Sequence, residues 1–304
     1  MTRRLPLTCA AFVAGVAIAC APARAVADEP PPSGVHWNEE WPRFRWWEGV
    51  AAAGLVVSTY AFQNSLHAPS TPNWKGPILL DEPIRGLFRA RSASAEKAAA
   101  RYSDFLLQAA VVYPYLDAGL TLAVHQNADV ALQMALIDVE SLGFAGAVSL
   151  FTERLVARQR PYVHDCHGDG TFVGNNPCGG EGDRISFFSG HASATFTSAG
   201  LTCIHHQHNP LWGGGAPDVW ACVWALSLAS TTGMLRIIAD KHYASDVFVG
   251  TSVGLFSGYV LPALLHYGFG RSRGERRAFS ALGVVRPAIL PVPSGAAAGV
   301  HGVF

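Results

Sequence analysis

Apolar residues recur along this chain in long blocks, and short polar joints rich in Gly and Pro separate the blocks. Blocks of this length favour helices over strands, because no segment outside the C-terminal tail alternates cleanly between apolar and polar residues. The predicted helices are Gly49 to Gln63, Tyr102 to Val124, Asp129 to Arg158, Gly190 to Ile204, Val219 to Arg236 and Ala244 to Tyr267. The pattern therefore predicts an all-α fold, a helical bundle of about six helices.

The shortage of charged residues indicates contact with lipid. Only 14% of the residues are charged, against about 25% in ordinary soluble domains. The segment from Val247 to Leu265 carries no charge over 19 residues, which is long enough to cross a bilayer. Asp117, Asp138 and Glu140 interrupt other helices and would be costly if they faced lipid. We expect a bundle that is at least partly membrane-embedded, with a soluble helical domain as the alternative.

The balance of positive and negative charges argues against a nucleic-acid partner. The 22 basic residues equal the 22 acidic ones, so there is no overall positive field to attract nucleic acid. We expect no nucleic-acid partner and leave the oligomeric state open.

The N-terminus has the features of an export signal. Arg3 and Arg4 precede an apolar stretch from Leu7 to Ile18, and small residues follow at Ala23 and Ala25. We expect cleavage of residues 1–25, with retention as a membrane anchor as the alternative. The remaining chain divides into a lead-in with the first helix (26–101), the helical-bundle domain (102–270) and a C-terminal tail (271–304).

Export would place the remaining cysteines in an oxidising compartment, where an even number suggests pairing. Cys166 and Cys178 bracket a loop rich in Gly and Asn and are a candidate disulfide. Cys203 and Cys222 lie in apolar segments and could be either paired or buried free thiols.

Three short motifs in the second half of the chain carry the candidate chemistry. Arg160-Pro161 ends one predicted helix, Ser189-Gly190-His191 begins the next, and Arg236, His242 and Asp246 follow with the spacing R-x5-H-x3-D. Guanidinium groups and the N–H groups of a helix N-terminus are the donors that a phosphate dianion requires. His242 and Asp246 are four residues apart, so the carboxylate could hold one imidazole nitrogen and leave the other free to attack phosphorus.

This ordered set resembles the signature of the type 2 phosphatidic acid phosphatase superfamily, which also contains bacterial acid phosphatases and vanadium haloperoxidases. The resemblance implies that His242 is the nucleophile of a phosphohistidine mechanism, that Asp246 orients it and that His191 is the general acid. It also implies the phosphate-binding residues, which are Arg160, Arg236, Ser189 and Gly190. No metal or other cofactor is implied. We expect a phosphatase acting on phosphate or pyrophosphate esters, and the apolar helices favour lipids or, otherwise, a small phosphate ester.

The chain departs from the family pattern at three positions. Glu153 stands where the family has a lysine, Phe188 replaces a proline and Leu235 replaces a serine. Glu153 matters most, because a carboxylate repels phosphate unless Arg154 turns inward to compensate. The alternatives are therefore a soluble periplasmic acid phosphatase, a vanadate-dependent haloperoxidase, or a non-catalytic membrane protein with a vestigial site.

Helix order predicts where the motifs lie. In a spanning arrangement all three motifs share one membrane face, and we expect it to be the periplasmic face of the inner membrane, or the protein to be wholly periplasmic. This requires the short segment from Gly49 to Gln63 to lie along the surface. Arg154 and Arg158 are expected to contact solvent or lipid headgroups. The group His205, His206 and His208 resembles a metal cluster but has no carboxylates nearby in sequence, so we expect no metal there.

Overall fold

The computed structural model describes residues 34–166 and 178–268 in full, together with the backbone of residues 286–292 and 295–301. Short 3-10 helices lie at Pro161–Asp165 and Glu181–Arg184, and a π-helical turn, Phe256–Val260, joins the last two helices. The α-helices are α1 (Trp46–Gln63), α2 (Asp81–Phe88), α3 (Ala93–His125), α4 (Ala128–Val156), α5 (Gly190–His208), α6 (Ala216–Ile238), α7 (Ala244–Leu255) and α8 (Leu261–Leu265). The predicted all-α bundle is confirmed.

Residues 34–271 form one compact unit, and residue 101, where the predicted bundle domain is expected to begin, lies inside α3. In the C-terminal tail, the described backbone forms an antiparallel ribbon of β1 (Arg286–Val292) and β2 (Gly295–His301). The expected export signal, residues 1–25, lies outside the described residues.

Local capping fixes where the long helices turn. Ser92 begins α3 by accepting a hydrogen bond from the N–H of Ala95, which places the start nine residues before the predicted Tyr102. Gln126 then adopts a left-handed conformation and Asn127 caps α4. Because only these two residues join α3 to α4, the two helices run antiparallel.

The helices alternate in direction. His191 pairs with Asp104 near one end of the bundle, and His206 pairs with Asp117 near the other, so α3 and α5 run in parallel. The helix between them in sequence, α4, runs the opposite way. The consequence is that the C-termini of α4 and α6 meet the N-termini of α5 and α7 at one end, which we call the motif end.

A glycine stripe brings α7 directly against α5. A Cβ atom added at Gly254 would lie 2.4 Å from the carbonyl oxygen of Ser193, and one added at Gly258 would lie 1.9 Å from that of Thr197. Gly250, one turn earlier, is as tightly enclosed, with a backbone oxygen 2.5 Å from the added atom. Glycines spaced by four residues allow helix backbones to approach closely. This contact sets the position of the start of α7 relative to the start of α5.

The outer surface of the bundle is apolar. Exposed residues include Tyr60 on α1, Phe105 and Leu116 on α3, Trp224 on α6 and Phe248 on α7. Four helical segments are long and apolar enough to cross a membrane: Ala93–His125, Ala128–Val156, Ala216–Ile238 and Ala244–Leu265. Large apolar side chains outside and polar ones inside is the arrangement expected in a bilayer.

The charged residues that seemed to weaken the membrane-spanning helices face inward and are paired with histidines. The pairs lie at the end of the bundle opposite the motifs, and their shortest distances are 2.9 Å for His205 with Asp138, 2.5 Å for His206 with Asp218, 3.3 Å for His206 with Asp117 and 2.7 Å for His266 with Glu140. The expectation that His205 and His206 lie in a loop without carboxylates is wrong, because both lie in α5 and their carboxylate partners come from other helices.

The first helix packs lengthwise on α4. A Cβ at Gly143 would contact Val56, and Phe62 packs on Phe151 with ring centres 5.6 Å apart. The contacts move to higher residue numbers in both helices at once, from Val56 with Gly143 to Phe62 with Phe151, so α1 runs parallel to α4. If α4 crosses a membrane, α1 lies alongside it in the same direction. This differs from the expectation that the segment lies along the membrane surface.

Candidate active site

The residues of the three motifs lie together at the motif end. Arg160 follows α4, Arg236 is in the last turn of α6, and His242 is in the short loop before α7. The charges of both guanidinium groups and of His191 act on the imidazole of His242. Folding thus gathers residues that are far apart in sequence.

His242 is held by a main-chain carbonyl. Its Nδ1 lies 2.8 Å from the carbonyl oxygen of Ser186 and 3.9 Å from Oδ2 of Asp246. A carbonyl only accepts hydrogen bonds, so Nδ1 carries the proton and Nε2 keeps its lone pair. Burial, followed by the charges of Arg160 and Arg236, lowers the pKa of His242 well below its ordinary value. The neutral imidazole is the form that can attack phosphorus.

Asp246 acts on His242 through Ser186. Its Oδ2 accepts hydrogen bonds from Oγ of Ser186 at 2.6 Å and from the N–H of Tyr243 at 2.9 Å, and its Oδ1 lies 2.5 Å from Nη1 of Arg158. The direct hydrogen bond predicted between Asp246 and His242 is therefore absent between these two described side chains. The reason is local: the carboxylate caps the start of α7, which turns it away from the ring.

Arg158 is the residue that sequence reasoning missed. Its side chain is fully buried, with Nη2 2.7 Å from Asp81 and Nη1 2.5 Å from Asp246. The guanidinium lies 4.0 Å from the ring centre of Trp74 and 4.3 Å from that of Tyr243. Two carboxylates and two aromatic faces therefore enclose it, and the expected contact with solvent or headgroups is wrong. No spacing in the sequence links Asp81 to this arginine.

Arg160 and Arg236 have donors without acceptors. The Nη atoms of Arg160 donate to the carbonyls of Lys241 at 3.3 Å and Ile185 at 3.2 Å, and Nη1 of Arg236 lies 3.3 Å from Asp104. The Nε atoms of both arginines are buried and find no acceptor among the described residues. Buried N–H groups normally have partners, so two such donors in one place indicate an anion site.

The central motif forms the first turn of α5. Oγ of Ser189 caps the helix by accepting from the N–H of Ala192 at 3.4 Å, and the N–H of Ser189 donates to the carbonyl of Asp246 at 3.0 Å. The amide of Ser189 is therefore engaged within the protein. The N–H groups of Gly190 and His191 have no acceptor within the helix, as in any first helical turn, and they suit an anion.

Glu153 lines the wall beside this turn. A Cβ at Gly190 would lie 2.9 Å from Oγ of Ser149 and 3.2 Å from Oε1 of Glu153, so both side-chain oxygens lie directly against this glycine. Arg154 does not turn into the pocket beside this carboxylate, because its Nε donates to the carbonyl of Leu66 at 2.8 Å. The pocket therefore contains a carboxylate where the family pattern has a lysine.

His191 has a carboxylate partner that the motifs do not include. Its Nε2 lies 2.8 Å from Oδ1 of Asp104, which also contacts Arg236. Burial, followed by the charge of Arg236, lowers the pKa of His191 to about 4, although Asp104 opposes the shift. A phosphate dianion would offset the charge of the arginine and raise this pKa, so substrate binding would favour the protonated ring.

Two disulfides are present. Cys166 is joined to Cys178 across the loop between the first two motifs, with Cα atoms 6.2 Å apart. Cys203 is joined to Cys222, which ties α5 to α6. The second pair, which the sequence left open between a disulfide and free thiols, is therefore oxidised in this structure.

One group of side chains could hold a metal. Single ligand atoms of Glu48, Glu140 and His266 lie within 4.8 Å of one another at the end opposite the motifs. Arg45 already pairs with Glu48, and His266 with Glu140, so internal charges satisfy this group. It has no place in phosphate chemistry at the motif end.

Comparisons with known proteins find sequence similarity in the part of the chain that carries the motifs. A lipid A 1-phosphatase from Porphyromonas gingivalis is 36% identical over 73 residues, which are 24% of this chain and only 15% of that protein. A PAP2 type phosphatidylglycerolphosphate phosphatase from Bacillus subtilis is similar over 75% of this chain and 100% of that chain, with 18% identity and a TM-score of 0.44. The sequence model of the PAP2 superfamily matches residues 135–269, which include all three motifs. Residues 135–269 of this chain are therefore similar in sequence to the PAP2 superfamily.

Proposed function

We propose that this protein is a phosphatase that hydrolyses phosphate or pyrophosphate esters of lipids through a phosphohistidine intermediate. The observation that carries the proposal is the neutral His242, with its Nδ1 held by Ser186, beside the two unpartnered guanidinium donors of Arg160 and Arg236. The arginines hold the phosphate, Nε2 of His242 attacks phosphorus, and the bond to the leaving oxygen breaks. His191 protonates that oxygen, and water then releases phosphate from His242.

A cavity next to the motifs supports a lipid substrate. It has a volume of about 480 Å³ and lies between α3, α5 and α6, where apolar side chains such as Phe105 and Leu228 line it. Thr195 lines it too, and its Oγ1 donates to the carbonyl of His191 at 2.8 Å. The cavity thus starts one helical turn from the general acid, where an acyl or prenyl chain would extend from a bound headgroup.

The exposed apolar faces of the helices also favour a membrane protein over a soluble acid phosphatase. The Cys166–Cys178 disulfide, between the first two motifs, supports a motif end that faces an oxidising compartment, the periplasmic side of an inner membrane. In that arrangement α1, which runs parallel to α4, begins on the cytoplasmic side. Removal of an export signal before residue 26 would conflict with this topology, so we favour retention of the N-terminus in the cytoplasm.

Phosphate release by detergent-purified protein tests the proposal. We expect phosphate to be released from long-chain phosphatidic acid and from polyprenyl pyrophosphate faster than from p-nitrophenyl phosphate. Ala109→Trp, which fills the cavity, should reduce turnover of the lipids and preserve turnover of the small ester. Bromide oxidation with added vanadate would instead identify a haloperoxidase, and absence of both activities in folded protein would favour a vestigial site.

A further inference from the structure

The motif end lacks one cation of the family pattern, because Glu153 occupies the lysine position and Arg154 turns away to Leu66. A phosphate dianion beside Glu153 would then be attracted by Arg160 and Arg236 and repelled by this carboxylate. A third cation would offset the repulsion. Besides the arginines of the motifs and Arg158, which pairs with Asp246, the described residues near the motifs include a lysine side chain that no motif assigns.

That side chain is Lys241, which directly precedes His242. Its main-chain N–H donates to the carbonyl of Arg236 at 3.0 Å, and its carbonyl accepts from Nη1 of Arg160 at 3.3 Å. Both phosphate-binding arginines therefore hold the backbone of this residue in place. The side chain is half-buried, and its ammonium lies 5.2 Å from the ring centre of Tyr162.

The ammonium of Lys241 has no carboxylate within ion-pair distance among the described residues. The charged groups that act on it come from three directions: Arg160 after α4 and Arg236 on α6 repel it, and Asp104 and Glu96 on α3 attract it more weakly. Burial, followed by these two arginines, lowers the pKa of Lys241 to about 8. A half-buried ammonium that two guanidinium groups repel, and that forms no ion pair among the described residues, is stabilised when an anion binds.

We propose that Lys241 is a phosphate-binding residue that supplies, from the loop before His242, the cation that Glu153 displaced from the first motif. The proposal rests on the proposed function for its place in turnover, but it also predicts anion binding by the resting protein. The positive charges of Lys241 and the two arginines exceed the negative charge of Glu153, and the bound dianion neutralises the net positive charge of these four groups. It therefore favours doubly charged phosphomonoesters over singly charged diesters.

Turnover should then depend on the charge of Lys241. The value of kcat/KM reports groups in the free enzyme, so it should fall as pH rises through about 8, where the ammonium loses its proton. An arginine at this position keeps its charge across that range. Lys241→Arg should therefore remove the alkaline decline of kcat/KM and retain the affinity for phosphate. Lys241→Gln should also remove the decline, but it should weaken phosphate binding.

The experiment measures hydrolysis of p-nitrophenyl phosphate and binding of inorganic phosphate by the full chain in detergent, from pH 6 to 9.5. Lys241→Gln should raise KM about ten-fold at pH 7 with little change in kcat, the size expected for one lost charge-assisted hydrogen bond. It should weaken phosphate binding by a similar factor. Lys97→Gln, which removes an exposed lysine on α3, is the control and should match the wild type.

An alkaline decline near pH 8 that persists in Lys241→Arg, or unchanged phosphate binding in folded Lys241→Gln, would overturn the proposal. A wild type that binds phosphate through Lys241 but hydrolyses no ester would support this role and contradict the proposed function. The two inferences can therefore fail separately.

Discussion

Gly254 provides a sensitive test of how the glycine stripe positions the site. In Gly254→Ala the new methyl group would lie 2.4 Å from the carbonyl oxygen of Ser193 and 2.8 Å from Cβ of Phe196. Ordinary contact begins near 3.4 Å, so α7 has to move away from α5 by about 1 Å. Overpacking of this kind costs about 1 to 3 kcal/mol. For a chain of this size that lowers the thermal midpoint by several degrees.

The same displacement should reduce activity. The start of α7 carries Asp246, whose carbonyl accepts the N–H of Ser189 at the start of α5, so both halves of the site shift relative to each other. A misplacement of about 1 Å costs on the order of 100-fold in rate. Thermal unfolding in detergent and kcat/KM on one phosphate ester measure the two effects.

Gly119→Ala is the matched control, because its Cβ would meet no heavy atom within 4 Å on the exposed face of α3. Alanine there should stabilise the helix slightly and leave turnover unchanged. A Gly254→Ala protein as stable and as active as the wild type would refute the close packing of α5 on α7.

Three further predictions concern charge and cross-linking. Glu153→Gln removes the carboxylate that lines the phosphate pocket, so KM for a phosphate ester should fall several-fold while kcat changes little; a higher KM would show that the carboxylate assists binding. Because the pKa of His191 is about 4 in the folded protein and 6.5 in the unfolded chain, the unfolded state binds more protons between these values. The thermal midpoint should therefore fall as pH drops from 6.5 to 4, and His191→Asn should lose less over this range; equal losses would contradict the burial of this ring. Non-reducing peptide mapping of protein taken directly from cells should recover a peptide linking Cys203 to Cys222, and free thiols at both positions would contradict the oxidised pairing.

The motif residues could be predicted from sequence because their chemistry depends on short spacings. Arg236, His242 and Asp246 lie within one loop and its flanking helix ends, so their proximity follows from chain connectivity. The helices were predictable for the same reason, since their apolar blocks are long and Asn127 caps α4 locally. What the sequence determined well is therefore local.

Two of the errors concern partners from distant segments. Arg158 was assigned to the surface because its partner Asp81 is 77 positions away, on a short helix that no apolar pattern predicts. Asp138 looked costly inside a membrane helix because nothing in the sequence pairs it with His205. The direct bond between Asp246 and His242 failed for a different reason, since helix spacing does not reveal that the carboxylate caps its own helix.

The most direct test of the central claim is to trap the phosphorylated protein. Full-length protein in detergent would be mixed with a radiolabelled phosphate ester, quenched in alkali, where phosphohistidine survives, and mapped by peptide. The account predicts label on the peptide containing His242, removed by acid, absent in a folded His242→Ala variant and accompanied by loss of phosphate release. Normal phosphate release by His242→Ala, or label on another residue of the wild type, would contradict it.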